Sequence, residues 1–241
     1  MIKIIGTIGP ASRKSRTIRL MKKAGMNIGR INMKYAGVKE VKTVLQMLKS
    51  AGCETLVDIN TTRKAKILDS FSFDYLAVSY ASSPAQLREI RNILKGKKFK
   101  LIAKIETKEG VRNFQSLFKE ADGFMIARGD LGRNLPWEYV PIIQKEFIKQ
   151  CRKKRKFTIT ATEMLLSMTH STIPERAEVS DVANAVLDGS DALMLSEETA
   201  TGNHPILAVK AMRKIINATT NYKRSKSKIL HFVKYHLAKS S

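Results

Sequence analysis

The chain has few cysteines and no long apolar run, and each of these shortages excludes a class of protein. Cys53 and Cys151 are the two cysteines among 241 residues, and their separation fits no metal-ligand spacing, so we expect two reduced thiols and no disulfide. No segment approaches the ~18 uninterrupted apolar residues of a membrane span. The first residues are predicted to form a strand and lack the features of a signal peptide. The expected location is cytoplasmic, without a membrane partner.

Acidic residues are also scarce relative to basic ones. Lys and Arg total 44 against 21 Asp and Glu, a formal charge of +23, which attracts polyanions such as phosphorylated metabolites, nucleotides and RNA. The basic residues are spread along the chain, with small clusters at 95–100, 152–156 and 223–228. A lysine-rich solvated surface explains this pattern at least as well as nucleic-acid binding, which is compatible with the charge but not favoured.

Short apolar runs alternate with longer amphipathic stretches along the chain, a pattern typical of βαβ units and a parallel sheet. Eight such units in a chain close to the ~250 residues of a (β/α)8 barrel predict an α/β protein with a single barrel of this kind. The predicted strands are 3–8, 27–32, 54–58, 74–79, 99–105, 123–127, 156–161 and 191–195. The predicted helices are 14–24, 38–50, 84–95, 109–120, 137–153, 175–188 and 205–218.

Two segments depart from this alternation. Residues 59–73 show no convincing helical stripe, so we expect the third helix to be missing or reduced to a turn. Residues 223–241 begin with a basic cluster and continue as an amphipathic segment, which predicts an extra C-terminal helix. The expected organisation is a catalytic barrel over 1–222 and a basic, helical tail over 223–241.

Charged side chains follow several predicted strands, where such barrels place their active sites. Strand alternation puts Lys104 and Glu106 on one face, pointing into the barrel mouth. Glu106 and Asp130 could hold a divalent cation through oxygen ligands, beside which Lys104 would stabilise an enolate or a transferring phosphoryl group. A structural Lys104–Glu106 ion pair explains the same residues equally well. Residues 129–132 are expected to form a glycine-rich turn before a helix that begins near Pro136.

A set of segments, in consistent order from residue 1 to about 218, resembles the barrel of pyruvate kinase. They are Ile-Gly-Thr-Ile-Gly-Pro-Ala-Ser (5–12), Ala-Gly-Met-Asn-Ile-Gly-Arg-Ile-Asn (24–32), Lys-Ile-Glu-Thr-Lys-Glu-Gly-Val-Arg-Asn-Phe (104–114), Ala-Arg-Gly-Asp-Leu-Gly (127–132), Ala-Thr-Glu-Met-Leu (161–165), Arg-Ala-Glu-Val-Ser-Asp-Val-Ala-Asn-Ala-Val-Leu-Asp-Gly (176–189) and Met-Leu-Ser-Glu-Glu-Thr-Ala (194–200). The family acts on phosphoenolpyruvate and ADP, yielding pyruvate and ATP, so the resemblance implies a phosphotransferase with these substrates.

The resemblance also implies roles for single residues. Glu106 and Asp130 would bind Mg²⁺ or Mn²⁺, and Lys104 would stabilise charge on the phosphoryl group and the enolate oxygen. The amides of Gly129 and Asp130, with the hydroxyl of Thr162, would hold the substrate carboxylate. Thr162 would also lie near the site where enolpyruvate is protonated.

Four further residues take roles on the phosphoryl and cation side of the pocket. By the same resemblance, Arg30 would contact the phosphoryl group, and Asn32 and Asp58 would belong to a monovalent-cation site. Ser79 matches a serine near the same pocket, where it would contact substrate.

Departures from the family pattern place the kinase activity in question. A lid domain of roughly a hundred residues, an ordinary size for a small domain, is replaced by the segment 59–73, and the family's C-terminal regulatory domain is also expected to be absent. Lys34 stands for a cation-site serine, and with Arg63 it is expected to replace bound K⁺, so that K⁺ is not required. The other changed positions are Tyr35, Ile59, Ala65, Ser82, Glu163 and Glu197.

Three functions follow in order of preference. The first is a minimal pyruvate kinase, the second a Mg²⁺-dependent pyruvate-enolate lyase such as an oxaloacetate decarboxylase, and the third a non-catalytic binding protein. The pattern leaves open whether the chain forms a homo-oligomer and whether a partner chain supplies a lid.

Overall fold

The computed structural model describes residues 1–224 and shows a closed barrel of eight parallel strands in sequence order. The predicted α/β barrel is therefore confirmed, and every predicted strand lies within one residue of its observed bounds. The strands are Lys3–Thr7 (β1), Ile28–Asn32 (β2), Glu54–Ile59 (β3), Tyr75–Val78 (β4), Lys100–Ile105 (β5), Gly123–Ala127 (β6), Phe157–Ala161 (β7) and Ala192–Leu195 (β8).

Helices surround the barrel and connect successive strands. They are Ser15–Ala24 (α1), Val38–Ser50 (α2), Arg63–Ile67 (α3), Pro84–Ile93 (α4), Lys108–Arg112 (α5), Phe114–Leu117 (α6), Arg128–Asn134 (α7), Val140–Lys153 (α8), Arg176–Asp188 (α9), Glu197–Ala200 (α10) and Pro205–Arg224 (α11). Short 3-10 turns occupy Leu68–Ser70, Trp137–Tyr139 and Leu166–Thr169. No helix of residues 1–224 is both long and apolar enough to cross a bilayer.

Local sequence explains several helix ends. Ser83 accepts a hydrogen bond from the Gln86 amide at the start of α4, where Pro84 occupies the first turn. Gly189 ends α9 with φ 102°, a left-handed conformation that a residue with a Cβ atom rarely adopts. The first signal marks where α4 begins after β4, and the second marks where α9 ends before β8.

The structure corrects two predicted segments and bears out a third. The connection after β3 holds only the five-residue α3 and a 3-10 turn, as the missing helical stripe indicated. The predicted helix 109–120 is split into α5 and α6 at Asn113. Residues 129–132 form part of α7, so the predicted turn is wrong: the N–H of Leu135 bonds to the carbonyl of Leu131. The predicted C-terminal helix lies outside the described residues, apart from the two that end α11.

Side-chain alternation on the strands divides the core in two. One buried cluster fills the barrel interior and includes Ile5, Leu56, Ile102 and Met125. A larger cluster packs between the outer faces of the strands and the helices. Because alternate residues share a face, the inward face that carries Ile102 continues to Lys104, one layer nearer the carboxyl end of the barrel.

Candidate active site at the carboxyl ends of the strands

Asp58, on β3, is the centre of a buried charge cluster at the barrel mouth. Arg30 on β2 donates to Asp58 Oδ2 from Nε at 2.9 Å and from Nη2 at 2.8 Å, and its Nη1 donates to Thr7 Oγ1 at 3.0 Å. Lys104 on β5 places Nζ 3.1 Å from the same Oδ2. Three strands thus deliver one carboxylate and two cations to a single point.

Lys104 also contacts Ser79 and Glu106 through the same ammonium group. Its Nζ donates to Ser79 Oγ at 2.8 Å and lies 2.9 Å from Glu106 Oε1. Glu106 Oε2 accepts the Tyr80 amide at 2.6 Å. Lys104 and Glu106 are 6% and 1% exposed, so the ammonium group is fixed between two carboxylates and largely shielded from bulk water. The predicted common face and the Lys104–Glu106 ion pair are both present.

Burial and charge act against each other in the pKa values of this cluster. Burial opposes ionisation of Asp58, but Lys104 and Arg30 outweigh it and lower the Asp58 pKa. Burial also opposes the charge on Lys104, yet Asp58 and Glu106 outweigh it and raise the Lys104 pKa. Burial dominates at Glu106 and raises its pKa, although Lys104 acts in the opposite direction. Near neutral pH, Lys104 is therefore a fixed positive charge.

Asp130 stands beside this cluster, in the first turn of α7. The side-chain amide of Asn134 donates to the carbonyl of Glu106 at 3.0 Å and to that of Asp130 at 2.9 Å, which ties the two backbones together. The Asp130 carboxylate is 37% exposed and lies 3.4 Å from Arg133 Nη1. It can therefore be reached from solvent, whereas Glu106 lies at the bottom of the mouth.

These two carboxylates fit the donor set of a divalent cation. Mg²⁺ is usually held by one or two carboxylates, with substrate oxygens and water completing its shell. Glu106 keeps lone pairs beyond those used by Lys104 and Tyr80. Residues 1–224 contain no group of three or more His, Cys, Asp or Glu side chains arranged for a metal, so the substrate would have to supply further ligands.

The backbone is strained where β7 ends. Thr162 and Glu163 have φ values of 73° and 54°, and a positive φ is a genuine outlier for a β-branched residue such as threonine. Thr162 Oγ1 accepts the Gly129 amide at 2.7 Å and donates to the Ala161 carbonyl at 2.6 Å. The predicted carboxylate-binding groups Gly129 and Thr162 are thus in contact with each other.

The two predicted cation-replacing residues are both exposed in the structure. Lys34 is exposed, with Nζ 5.3 Å from the Tyr35 ring centroid, and Arg63 is also exposed. The side chain of Asn32 accepts the Lys34 amide at 3.0 Å. Lys64 is the residue that reaches inward from α3, and its Nζ donates to the Met33 carbonyl at 2.6 Å.

Sequence reasoning assigned no role to four residues that shape the site: Thr7, Tyr80, Arg128 and Asn134. Arg128 follows β6 within one of the matched segments, and Thr7 ends β1, so the strand-end rule could have found Thr7 as well. Arg128 binds Asp181 Oδ1 at 2.6 Å and the Thr162 carbonyl at 2.8 Å, which holds the strained turn. Tyr80 has φ 55°, and no local sequence pattern indicates that its amide meets Glu106.

Together, the fold and the site define a (β/α)8-barrel protein with a charged, oxygen-lined pocket at the carboxyl ends of its strands. The family model described as "Pyruvate kinase, barrel domain" matches residues 69–209, which is more than half of the chain. The chain belongs to the pyruvate kinase family, through the barrel domain.

Named relatives agree with this assignment. Pyruvate kinase of Thermococcus litoralis is 49% identical over 154 residues, which are 63% of this chain and 32% of the relative. Pyruvate kinase of Clostridium perfringens is 50% identical over 145 residues, 59% of this chain and 31% of the relative. That of Eimeria tenella is 51% identical over 144 residues, 59% of this chain and 27% of the relative. The chain therefore matches less than a third of the length of each relative.

Proposed function

We propose that this protein transfers a phosphoryl group between phosphoenolpyruvate and ADP in a Mg²⁺-dependent reaction. The observation that carries the proposal is the position of Lys104: a buried ammonium group, fixed by Asp58 and Glu106 at the barrel mouth. Fixed positive charge in a site that excludes water stabilises developing negative charge far better than a mobile lysine on the surface. The relatives named pyruvate kinase support the same reaction.

The described residues take distinct roles in this proposal. Lys104 stabilises the phosphoryl oxygens and then the enolate oxygen. Arg30, oriented by Asp58 and Thr7, contacts the phosphoryl group. Gly129 and Thr162 bind the substrate carboxylate. The hydrogen bond from the Gly129 amide to Thr162 Oγ1 is then replaced by hydrogen bonds from both groups to the carboxylate.

The reaction balances without a redox partner. The P–O bond of phosphoenolpyruvate breaks as a bond forms from an ADP oxygen to phosphorus, and the electron pair stays on the enolate of pyruvate. A proton from solvent water then reaches the enolate carbon from the side of Thr162, giving pyruvate. Glu106 and Asp130 would hold the Mg²⁺, which when bound neutralises charge on the substrate oxygens.

A second candidate, an enolate lyase, is favoured by a change on the phosphate side of the pocket. Ala65 lies at the position that the resemblance assigns to a phosphate-binding arginine, and its side chain is fully buried and apolar. Decarboxylation of oxaloacetate would break a C–C bond, release CO₂ and leave the same pyruvate enolate. That chemistry needs Lys104 and the metal ligands, but neither ADP nor a phosphate clamp.

The test is a lactate-dehydrogenase-coupled assay with phosphoenolpyruvate, ADP and Mg²⁺. We expect ADP-dependent turnover that falls by at least ~10²-fold in Lys104→Ala, the size of effect seen when a transition-state donor is removed. Lys39→Ala, an exposed lysine on α2, is the matched control and should keep full activity. Circular dichroism and thermal unfolding of both variants check that each one folds.

The same preparations separate the alternatives. Turnover of oxaloacetate with Mg²⁺, together with none from phosphoenolpyruvate and ADP, would replace the kinase proposal by the lyase. Absence of both activities would leave a binding protein. We further propose that 1–222 form the catalytic unit and that the protein acts in the cytoplasm.

A further inference from the structure

The end of the barrel where the strands start gathers basic clusters that are far apart in the sequence. Residues 95–100 lead into β5 and residues 152–156 lead into β7, and parallel strands all start at one end. Lys100 Nζ lies 5.8 Å from the ring centroid of Tyr75 and 5.9 Å from that of Phe157. The first two clusters therefore meet across the strand starts, at the end opposite the candidate active site.

Lys223 and Arg224, the first two residues of the third cluster, reach the same end through α11. Lys223 Nζ donates to the carbonyl of Leu187 at 3.4 Å, one residue before the end of α9, which leads into β8. Lys223 and Arg224 are both exposed. We call these groups, residues 95–100, 152–156 and 223–224, the basic end.

The acidic residues around the basic end are occupied by the barrel itself. Three aspartates accept backbone N–H groups of neighbouring strands at 2.7 to 2.9 Å: Asp74, Asp122 and Asp191. Within residues 1–224, no Lys or Arg of the basic end forms an ion pair with a carboxylate. The described residues therefore leave the cations of the basic end without an ion-pair partner, although the Lys3–Glu54 and Arg91–Asp122 pairs lie at the same end of the barrel.

The basic end is concave and partly aromatic. A cavity of about 510 Å³ opens between the starts of β1, β3, β4 and β5. It is lined by Lys3, Lys97, Lys98 and Lys100 together with Tyr75, Phe99, Glu54 and Asp74. A positively charged groove with aromatic faces is the surface on which single nucleic-acid strands bind, through phosphate contacts and base stacking.

A lipid surface fits this end less well. Interfacial membrane binding combines basic residues with exposed apolar side chains that enter the acyl boundary. Of the exposed large hydrophobic side chains, none lies within 95–100, 152–156 or 223–224, and those near this end, Met1, Leu187 and Tyr222, lie before β1, on α9 and on α11 respectively. Phe99 and Phe157 are only partly exposed, which suits stacking of a base at the cavity edge better than insertion into a bilayer.

We propose that the basic end binds a single nucleic-acid strand, at a site separate from the barrel mouth. The sequence alone did not favour such binding because its basic clusters are dispersed along the chain. The barrel topology removes that objection by bringing the clusters together.

The experiment is fluorescence anisotropy with a labelled RNA of roughly 20 nucleotides at about 50 to 200 mM salt, the range over which phosphate contacts weaken measurably. Lys98→Glu/Lys153→Glu/Lys154→Glu reverses three exposed lysines of the basic end. Lys39→Glu/Lys42→Glu/Lys210→Glu makes the same charge change at exposed lysines elsewhere. We expect the first variant to bind RNA at least about 10-fold more weakly than the unaltered protein. The slope of log binding constant against log salt concentration should become smaller in magnitude by about two. The control should lose less than about threefold in affinity.

Four results would overturn the proposal. The first is no binding by the unaltered protein at concentrations up to about 100 µM, the weak limit of ordinary non-specific binding. The second is equal weakening by both variants, which would assign the effect to net charge alone. The third is competition by inorganic polyphosphate as strong per phosphate as that by RNA, since bases would then contribute nothing. The last is binding to phosphatidylserine vesicles without binding to RNA. Kinase or lyase activity is measured in parallel and should be unchanged in both variants.

Discussion

At the scale of single residues, the decisive feature is the carboxylate of Asp58 between two cations. Its burial is tolerated because Arg30 and Lys104 both donate to it. Removing one partner of such a buried network leaves uncompensated charge, which typically costs about 3–5 kcal/mol. Asp58 therefore supports the fold as well as the site, since it orients the two cations that would meet the substrate.

Asp58→Asn should lower the free energy of unfolding at pH 7 by about 3–5 kcal/mol, measured by urea denaturation. The exposed Asp69→Asn is the matched control and should change it by less than about 0.5 kcal/mol. The pKa of Asp58 is lower in the folded state, so its stabilisation is complete above the unfolded value of about 3.9. It is lost as pH falls through the folded pKa, and the difference between wild type and Asp58→Asn should shrink there. A difference that is constant from pH 7 to pH 3 would contradict the charge argument.

The sequence predicted part of this residue-level picture. Strand-end position and period-two alternation were enough to place Lys104 and Glu106 side by side. They could not show that Asp58 joins them, because that contact depends on how β3 and β5 lie across the barrel. Nor could they show the positive φ of Thr162, which Arg128 holds from the neighbouring strand.

At the scale of elements, the eight strands could be predicted closely and the short helices could not. Strands buried on both faces are short continuous apolar runs with clear ends. In contrast, α7 and α10 have seven and four residues, too few for a helical stripe to repeat. The reduced α3 was correctly expected from the same lack of periodicity.

The connection from β3 to α3 gives a prediction about monovalent cations. Lys64 places its ammonium group on the Met33 carbonyl, where a fixed charge can take over the role of a bound K⁺. If the protein is a kinase, its turnover in Na⁺ and in K⁺ should agree within about twofold. Lys64→Met should lower turnover by about tenfold or more, since an electrostatic contribution of about 1.4 kcal/mol corresponds to a factor of ten.

Lys66→Met, which changes an exposed lysine in the same helix, is the control for Lys64→Met and should have no effect. A clear K⁺ requirement in the unaltered protein would refute the replacement. In that case the side-chain oxygen of Asn60 would be the candidate ligand for K⁺, because it is buried and accepts no hydrogen bond from residues 1–224.

At the scale of the whole molecule, the barrel separates two surfaces with different charge arrangements. At the carboxyl end, opposite charges are paired inside a buried cluster, which suits a small oxyacid. At the strand-start end, the lysines and arginines of the basic end form no ion pair with the described residues, which suits an extended polyanion. The sequence supplies the charges of both ends, but only closure of the eight strands determines which of them are neighbours.

The last prediction uses this separation. A ligand bound at the mouth contacts several strands at once and should stabilise the entire barrel. At about 100 times its dissociation constant, it adds about 2.7 kcal/mol, which raises Tm by roughly 5–10 °C for a domain of this size. If phosphoenolpyruvate with Mg²⁺ raises Tm and ADP raises it further, the result indicates the kinase. If oxaloacetate or pyruvate with Mg²⁺ raises Tm and ADP has no effect, the result indicates the lyase.

Two variants test whether the ligand binds at the mouth. Because the basic end lies opposite the mouth, Lys98→Glu/Lys153→Glu/Lys154→Glu should keep the full shift in Tm, while Lys104→Ala should lose most of it. A shift reduced equally in both variants would mean that the two ends of the barrel do not bind independently.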